Sequence, residues 1–307
     1  MSGAERARGA PVARQRRHTL YFLDEIKAFA PVFLDTDVDM SAVRAHGAAT
    51  VAGGLRERPY STVTYVLHAA ARVLARHPEA NAAIRGRRRP RVARFATVAG
   101  KVTLDKTLEG RRVVLSAVLP GLESQELAGI QRQIDHYRHG DPDTMREFAA
   151  VRTLHRLPWP LGPLAYRLGT RPLARRAGTN GTFAVTSLGH RAVNGFYSVG
   201  GTTLTFGLGR VAERPVVRDG ELATAPLLPL SMTFDHRVID GAEAADVLGE
   251  LKEALEDFTA PTDEDAVEDA REGARSGERH PAHGAEAGNR ADAAGRTGAR
   301  AGERVTP

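Results

Sequence analysis

Residues 227–258 hold two periods separated by one turn. Leu228, Leu230, Met232 and Phe234 recur at every second position, the spacing of a strand with one apolar face. The run Asp235-His236-Arg237-Val238-Ile239-Asp240-Gly241 follows. Beyond it Ala244, Leu248, Leu251 and Leu255 recur at helical spacing. This strand-turn-helix unit needs a sheet on which its helix can pack. It also places His236 at the end of a strand, beside a turn, with a carboxylate close enough to lock the local backbone. An imidazole titrates near pH 6.5 and suits general-base work, although a lone histidine is more commonly structural.

The remaining elements interleave. Arg14 to Ala28 reads as helical, and Val32, Leu34 and Val38 begin an extended segment. Val63, Val66, Leu67, Ala70 and Leu74 make an amphipathic helix stopped near His77-Pro78. Residues 91–119 alternate and are rich in Val, which predicts two or three strands. Leu127, Ile130 and Ile134 mark another helix, and strands fit 182–186, 202–208 and 227–234. Helices and strands that alternate without a Gly-rich phosphate loop predict a mixed-sheet α/β domain.

Composition excludes several chemistries. The chain has no cysteine, so disulfides, a thiolate nucleophile, thiolate-ligated zinc and iron–sulfur clusters are ruled out. The expectations are no metal, no membrane span, no secretory signal and a cytoplasmic location. Residues 1–13 read as a basic disordered N-terminus and 259–307 as a disordered tail. That tail holds seven arginines and ten carboxylates with almost nothing to bury. The positive excess therefore lies in the body of the chain, partly in Arg85, Arg87, Arg88, Arg89, Arg91 and Arg94. With no interleaved aromatics, this cluster reads first as a solvated loop and second as a contact for the phosphates of a nucleotide-bearing cofactor; nucleic acid is not expected.

The string DHRVIDG, with a strand before it and an Ala-rich helix after it, resembles the active-site signature of the dihydrolipoamide acyltransferases. These are the catalytic components of the 2-oxoacid dehydrogenase complexes. Residues 182–211 resemble that family's strand, Thr-Ser-Leu-Gly turn, loop and second strand. Residues 61–84 are similar to its early helix with a Pro-x-x-Asn turn, and residues 30–43 to its strand entering the core. The likeness spans about residues 14–258.

The resemblance implies a chloramphenicol acetyltransferase-like two-layer α/β fold, a mixed β-sheet with flanking helices. It implies His236 as general base and Thr186 as oxyanion donor, with Ser187 the alternative one residue on. It gives Asp240 a structural part, in a buried ion pair with Arg14, Arg16 or Arg17. It further implies a homotrimer that joins the histidine of one subunit to the hydroxyl of the next, and acyl-CoA as donor. The acceptor is a thiol or another nucleophile, and a lipoyl domain would act only in trans. Two other classes remain: a catalytically silent trimeric scaffold, and a condensation- or chloramphenicol-type O-acyltransferase. The latter usually doubles the histidine, where this chain has Asp235.

Residues 140–180 depart from the family as an insertion where a short loop is usual. Leu154, Leu157, Trp159, Leu161, Leu164, Tyr166 and Leu168 stand there among arginines. A well-packed surface insertion, a lid over an acyl pocket, a docking surface and a membrane-surface patch all fit. Two local motifs are decoys. Gly207-x-Gly209-x-x-Ala212 mimics a dinucleotide loop, but Pro215 falls where its helix would propagate. Asp105-Lys106 mimics a lipoyl-bearing pair and reads as a hairpin charge pair.

Overall fold

Each expected strand forms, and the computed structural model, which describes residues 11–86 and 88–259, adds several more elements. The strands are β1 (Pro31–Asp39), β2 (Ala82–Arg85), β3 (Arg91–Arg94), β4 (Gly100–Leu108), β5 (Arg111–Leu119), β6 (Phe183–Ser187), β7 (Leu204–Leu208), β8 (Ala212–Arg218) and β9 (Glu221–Asp235). The helices are α1 (Arg17–Ile26), α2 (Ser41–Ala52), α3 (Thr62–Arg76), α4 (Leu127–His139), α5 (Ala149–Arg156), α6 (Leu161–Thr170), α7 (Leu173–Asn180) and α8 (Gly241–Glu256). The terminal segments read as disordered lie largely outside the described residues.

One sheet runs in the order β1-β9-β7-β6-β4-β5, with β8 also paired to β9. The β4–β6 and β6–β7 pairs are parallel and the others antiparallel, so the sheet is mixed as expected. β2 and β3 form a separate hairpin. Helices α3 and α8 pack on each other, α3 also touching β6 and α8 touching β1.

The alternation in β9 understates its burial. Leu228, Leu230, Met232 and Phe234 are inaccessible, and so are Ser231, Thr233 and Asp235 on the opposite face. The C-terminal half of β9 lies between β1 and β7, and the chain around Phe196 covers its polar face, where the Ser231 hydroxyl donates to Phe196 O at 2.5 Å. Each apolar side chain buried in this way contributes about 1.5–3 kcal/mol.

Sequence periodicity missed β8, because Pro215 argues against a strand. β8 has one partner, so an edge residue without an N–H is tolerated there. Periodicity also gave no helices to the insertion, which folds as α5, α6 and α7 with α1 packed against α5 and α6. Tyr21 is buried between Trp159 and Tyr166, with ring centroids 6.1 and 6.0 Å away. A side chain on Gly162 would collide with the Tyr21 hydroxyl, so a glycine is required at that crossing. Leu161, Leu164 and Leu168, at helical spacing, stay exposed along α6.

Candidate active site

The end of β9 is held from both sides. His236 N donates to Ala30 O at 2.9 Å, and the turn closes through Val238 N to Asp235 O at 2.9 Å. Asp235 is buried and forms a two-point pair with Arg237, Nε to Oδ1 at 2.8 Å and Nη2 to Oδ2 at 2.6 Å. The backbone N–H groups of Arg237 and Ala30 reach the same carboxylate at 3.2 and 3.4 Å. The Arg237 guanidinium lies 5.1 Å from the centre of the Phe29 ring. His236 is thus fixed between two residues that hold each other, while its own ring leans on Phe234 at 5.5 Å and is half exposed.

The carboxylate that locks this loop is Asp235, which corrects the part expected of Asp240. The Asp240 side chain is 88 % exposed, its Oδ1 standing 3.4 Å from His236 Nδ1. Among the described residues it forms no buried ion pair, and none of Arg14, Arg16 and Arg17 reaches it. Arg14 pairs with Glu109 at 3.0 Å, and Arg17 donates to His155 O and Leu157 O at 3.2 and 3.0 Å. The physical cause is position. Asp240 is the residue before α8, in extended conformation at the helix mouth, with its backbone O accepting from Ala244 N at 3.1 Å. Asp235 is still inside the sheet. The contact to His236 sets the carboxylate beside Nδ1, and Nε2 takes no part in it.

Thr186 lies near the end of β6, partly buried. Thr103 on β4 donates its hydroxyl hydrogen to Thr186 Oγ1 at 3.0 Å. The Thr186 hydroxyl must then point its own hydrogen elsewhere, as an oxyanion donor requires. Ser187 is engaged in the turn, its Oγ accepting from Gly189 N at 3.3 Å. Thr103 is a partner of Thr186 that sequence reading did not single out. Only the pairing of β4 with β6, which sets Val102 opposite Val185, puts it there.

One chain does not bring Thr186 and His236 together. Thr186 is opposite Gly207, and Gly207 opposite Ser231. His236 lies five residues beyond Ser231, roughly 17 Å along the strand and about 10 Å across it at ordinary sheet spacings.

The decoys have structural explanations. A side chain on Gly207 or Gly209 would run into the backbone of Phe196 or Asn194, so these glycines admit the 193–196 loop against the sheet. Asp105 pairs across its hairpin with Arg112, Nε to Oδ1 at 2.7 Å, and not with Lys106. Lys106 instead donates to Arg138 O and Gly140 O, at 2.8 and 2.6 Å, at the end of α4.

The insertion reaches the loop behind this site. Arg176 Nη2 and Asn180 Nδ2 donate to Gly201 O at 3.0 and 3.2 Å, and Lys101 Nζ donates to Asn180 Oδ1 at 3.2 Å and to Gly200 O. Burial lowers the Lys101 ammonium to about 7, with the neighbouring Arg176 charge adding to the effect. Among the described residues, no helix is long and apolar enough to cross a membrane.

Fold comparison defines the class first. A probable dihydrolipoamide acetyltransferase from Listeria monocytogenes superposes with a TM-score of 0.62 at 16% identity, over 84% of this chain and 98% of that one. The cubic core of a pyruvate dehydrogenase multienzyme complex gives 0.61 at 20% identity, over 82% and 92%. The fold is therefore the mixed-sheet α/β acyltransferase fold expected. Sequence comparison is more particular. Residues 163–261 match the model of the 2-oxoacid dehydrogenases acyltransferase (catalytic domain). Over 51 residues, 17% of the chain, it is 55% identical to the dihydrolipoyllysine-residue acetyltransferase component of the pyruvate dehydrogenase complex of Bacillus subtilis. That stretch is only 12% of the Bacillus protein's length.

Proposed function

We propose that this chain is an acyltransferase that moves an acyl group between coenzyme A and a thiol or other nucleophilic acceptor. The observation that carries the reading is His236, half exposed at a strand end and fixed by the buried Asp235–Arg237 pair, inside a segment that matches the acyltransferase family. His236 Nε2 removes the proton of the acceptor thiol or hydroxyl, and the freed electron pair attacks the thioester carbonyl. The tetrahedral oxyanion takes a hydrogen bond from Thr186. On collapse the carbon–sulfur bond to coenzyme A breaks, and the imidazolium returns its proton to the departing thiolate. Asp240 steadies the imidazole from the Nδ1 side.

The separation of Thr186 from His236 within one chain supports a homotrimer, with the hydroxyl of one subunit serving the histidine of the next. A lipoyl group presented by a separate domain is one acceptor, and a small-molecule hydroxyl or amine is another. The deciding experiment is thiol release from a panel of acyl-CoAs, with and without dihydrolipoamide. Release that needs both an acceptor and His236 supports the proposal. A chain that is silent with every donor is the trimeric scaffold instead.

A further inference from the structure

Helix α6 is fastened so that one apolar side cannot turn inward. Gly162 meets the Tyr21 ring, and Tyr166 packs on the same ring at 6.0 Å. Arg167 pairs with Asp24 at 2.8 Å and Arg171 with Glu25 at 2.9 Å, both partners on α1. With Gly162 and Tyr166 toward α1, the helical period carries Leu161, Leu164 and Leu168 to the opposite side. Trp159, just before the helix, and these three leucines are each between 50 and 66 % exposed. Single exposed apolar side chains are ordinary, but four within ten residues of one element mark an interaction surface.

The charge around this ridge has one sign. Residues 149–180 hold six arginines and no carboxylate. Arg156 and Arg175, one before α6 in the chain and one after it, are exposed and have no carboxylate partner among the described residues. A further guanidinium, that of Arg17, lies 5.5 Å from the centre of the Trp159 ring. Surfaces kept for solubility intersperse both signs, whereas this one sets leucines and an indole among cations alone. That is the composition of a helix that lies in the interface of an anionic membrane.

We propose that the α6 ridge, from Trp159 to Leu168, seats on the surface of an anionic lipid bilayer, with its leucines entering the acyl boundary and Arg156 and Arg175 meeting the headgroups. This does not depend on the acyl-transfer reading above. The dimensions agree. A helix of ten residues is roughly 15 Å long, about half the hydrocarbon thickness, so α6 lies on the bilayer and does not cross it. A second copy of the chain fits less well, because it would bring two arginine surfaces without carboxylates face to face. Residues 260–307 carry carboxylates, but Val267 and Val305 are their only large apolar side chains, too few to cover three leucines and an indole.

Trp159 is the only tryptophan of the chain, so the intact protein reports on its own ridge. The test is flotation of the full chain, with tryptophan emission, on vesicles of phosphatidylcholine alone and of phosphatidylcholine and phosphatidylserine in equal parts. The variants are Leu164→Ser/Leu168→Ser, Arg156→Gln/Arg175→Gln and, as a control, Leu222→Ser, which alters an exposed leucine on β9. Wild type should float with the phosphatidylserine vesicles, its emission moving to shorter wavelength and being quenched by lipids brominated on the acyl chain. Affinity for these vesicles should fall about tenfold or more in each double variant, and wild type should bind neutral vesicles more weakly by a similar factor. Melting temperatures and the control should not change. Emission blind to both vesicles would overturn the proposal, as would a leucine variant that binds like wild type or equal binding to neutral and anionic lipid. Emission that ignores vesicles and shifts with protein concentration, together with a leucine variant that loses its oligomer in light scattering, would assign the ridge to a second copy instead. Emission that ignores vesicles and shifts with an acidic amphipathic peptide would overturn the proposal in favour of a protein partner.

Discussion

Thr103 donates a hydrogen bond to Thr186 at 3.0 Å, so one threonine sets the direction in which the other can donate. The pair spans two parallel strands of the sheet, and neither residue needs the other for its own burial. Such a contact acts on rate more than on stability.

Thr186→Ala should lower kcat by ~10²–10³, the usual loss for one oxyanion donor, and Thr186→Ser should be mild. Thr103→Val should cost less, about tenfold, since it frees the hydroxyl without removing it. Steady-state kinetics on the three variants checks the order. A silent Thr186→Ala beside a crippled Ser187→Ala would move the oxyanion role by one residue.

His236→Ala should lower kcat by at least ~10³ and leave the melting temperature unchanged. Asp235→Asn should do both kinds of damage. It breaks a buried two-point pair and strands Arg237, at a cost of about 3–5 kcal/mol. Asp240→Asn, at an exposed position, should change turnover and not melting. Denaturant melts beside kinetics separate the three, and an Asp235→Asn as stable as wild type would remove the lock.

The fold was legible where one face of an element meets the core. Val66, Leu67, Ala70 and Leu74 announced α3, and all four are buried. The strand-turn-helix around His236 was legible for the same reason. Asp235 was harder to read, because a carboxylate beside a histidine carries no mark of burial, and Asp240 matched a known signature better. Thr103 was invisible, since its role arises from strand pairing between segments eighty-three residues apart. The helices of the insertion were hidden by their prolines and by an α6 face that stays exposed.

A single-chain separation of roughly 20 Å between Thr186 and His236 predicts that activity requires assembly. Light scattering should give a trimer. Mixing inactive Thr186→Ala with inactive His236→Ala under subunit exchange should restore part of the turnover, because some interfaces then pair intact residues. A monomer with full activity would contradict the shared site.

His77 predicts a pH dependence of stability. Its Nδ1 and Nε2 each lie 2.8 Å from a carboxylate on α8, Glu243 and Glu250. Burial works against the charged ring, but these hydrogen bonds outweigh it and raise its pKa above 6.5. Hydrogen bonds from His77 and then Arg76 lower the Glu250 carboxyl below 4.5. A raised histidine gives its full contribution below 6.5 and loses it as pH rises through the folded value. A lowered carboxylate contributes above 4.5 and fades as pH falls. The latch between α3 and α8 is therefore strongest between those values. Melting curves from pH 5 to 9 should fall on the alkaline side in wild type and fall less in His77→Gln. Parallel curves would rule the latch out.

Phe258 tests where the folded body ends. Its ring is buried, edge-on to Tyr65 at 5.0 Å and to His46 at 5.2 Å, just beyond the end of α8. Phe258→Ala should cost about 3–5 kcal/mol, since it empties a site whose aromatic walls cannot all move inward. Deleting residues 262–307 should leave folding, assembly and activity intact. That segment has almost no apolar side chains, and ordering it would cost roughly 1–2 kcal/mol per residue without compensating burial. The two variants bracket the boundary four residues apart, one severe and one silent. A truncated chain that loses its trimer or its melting transition would show that the tail docks on the body, and the boundary at Phe258 would have to move.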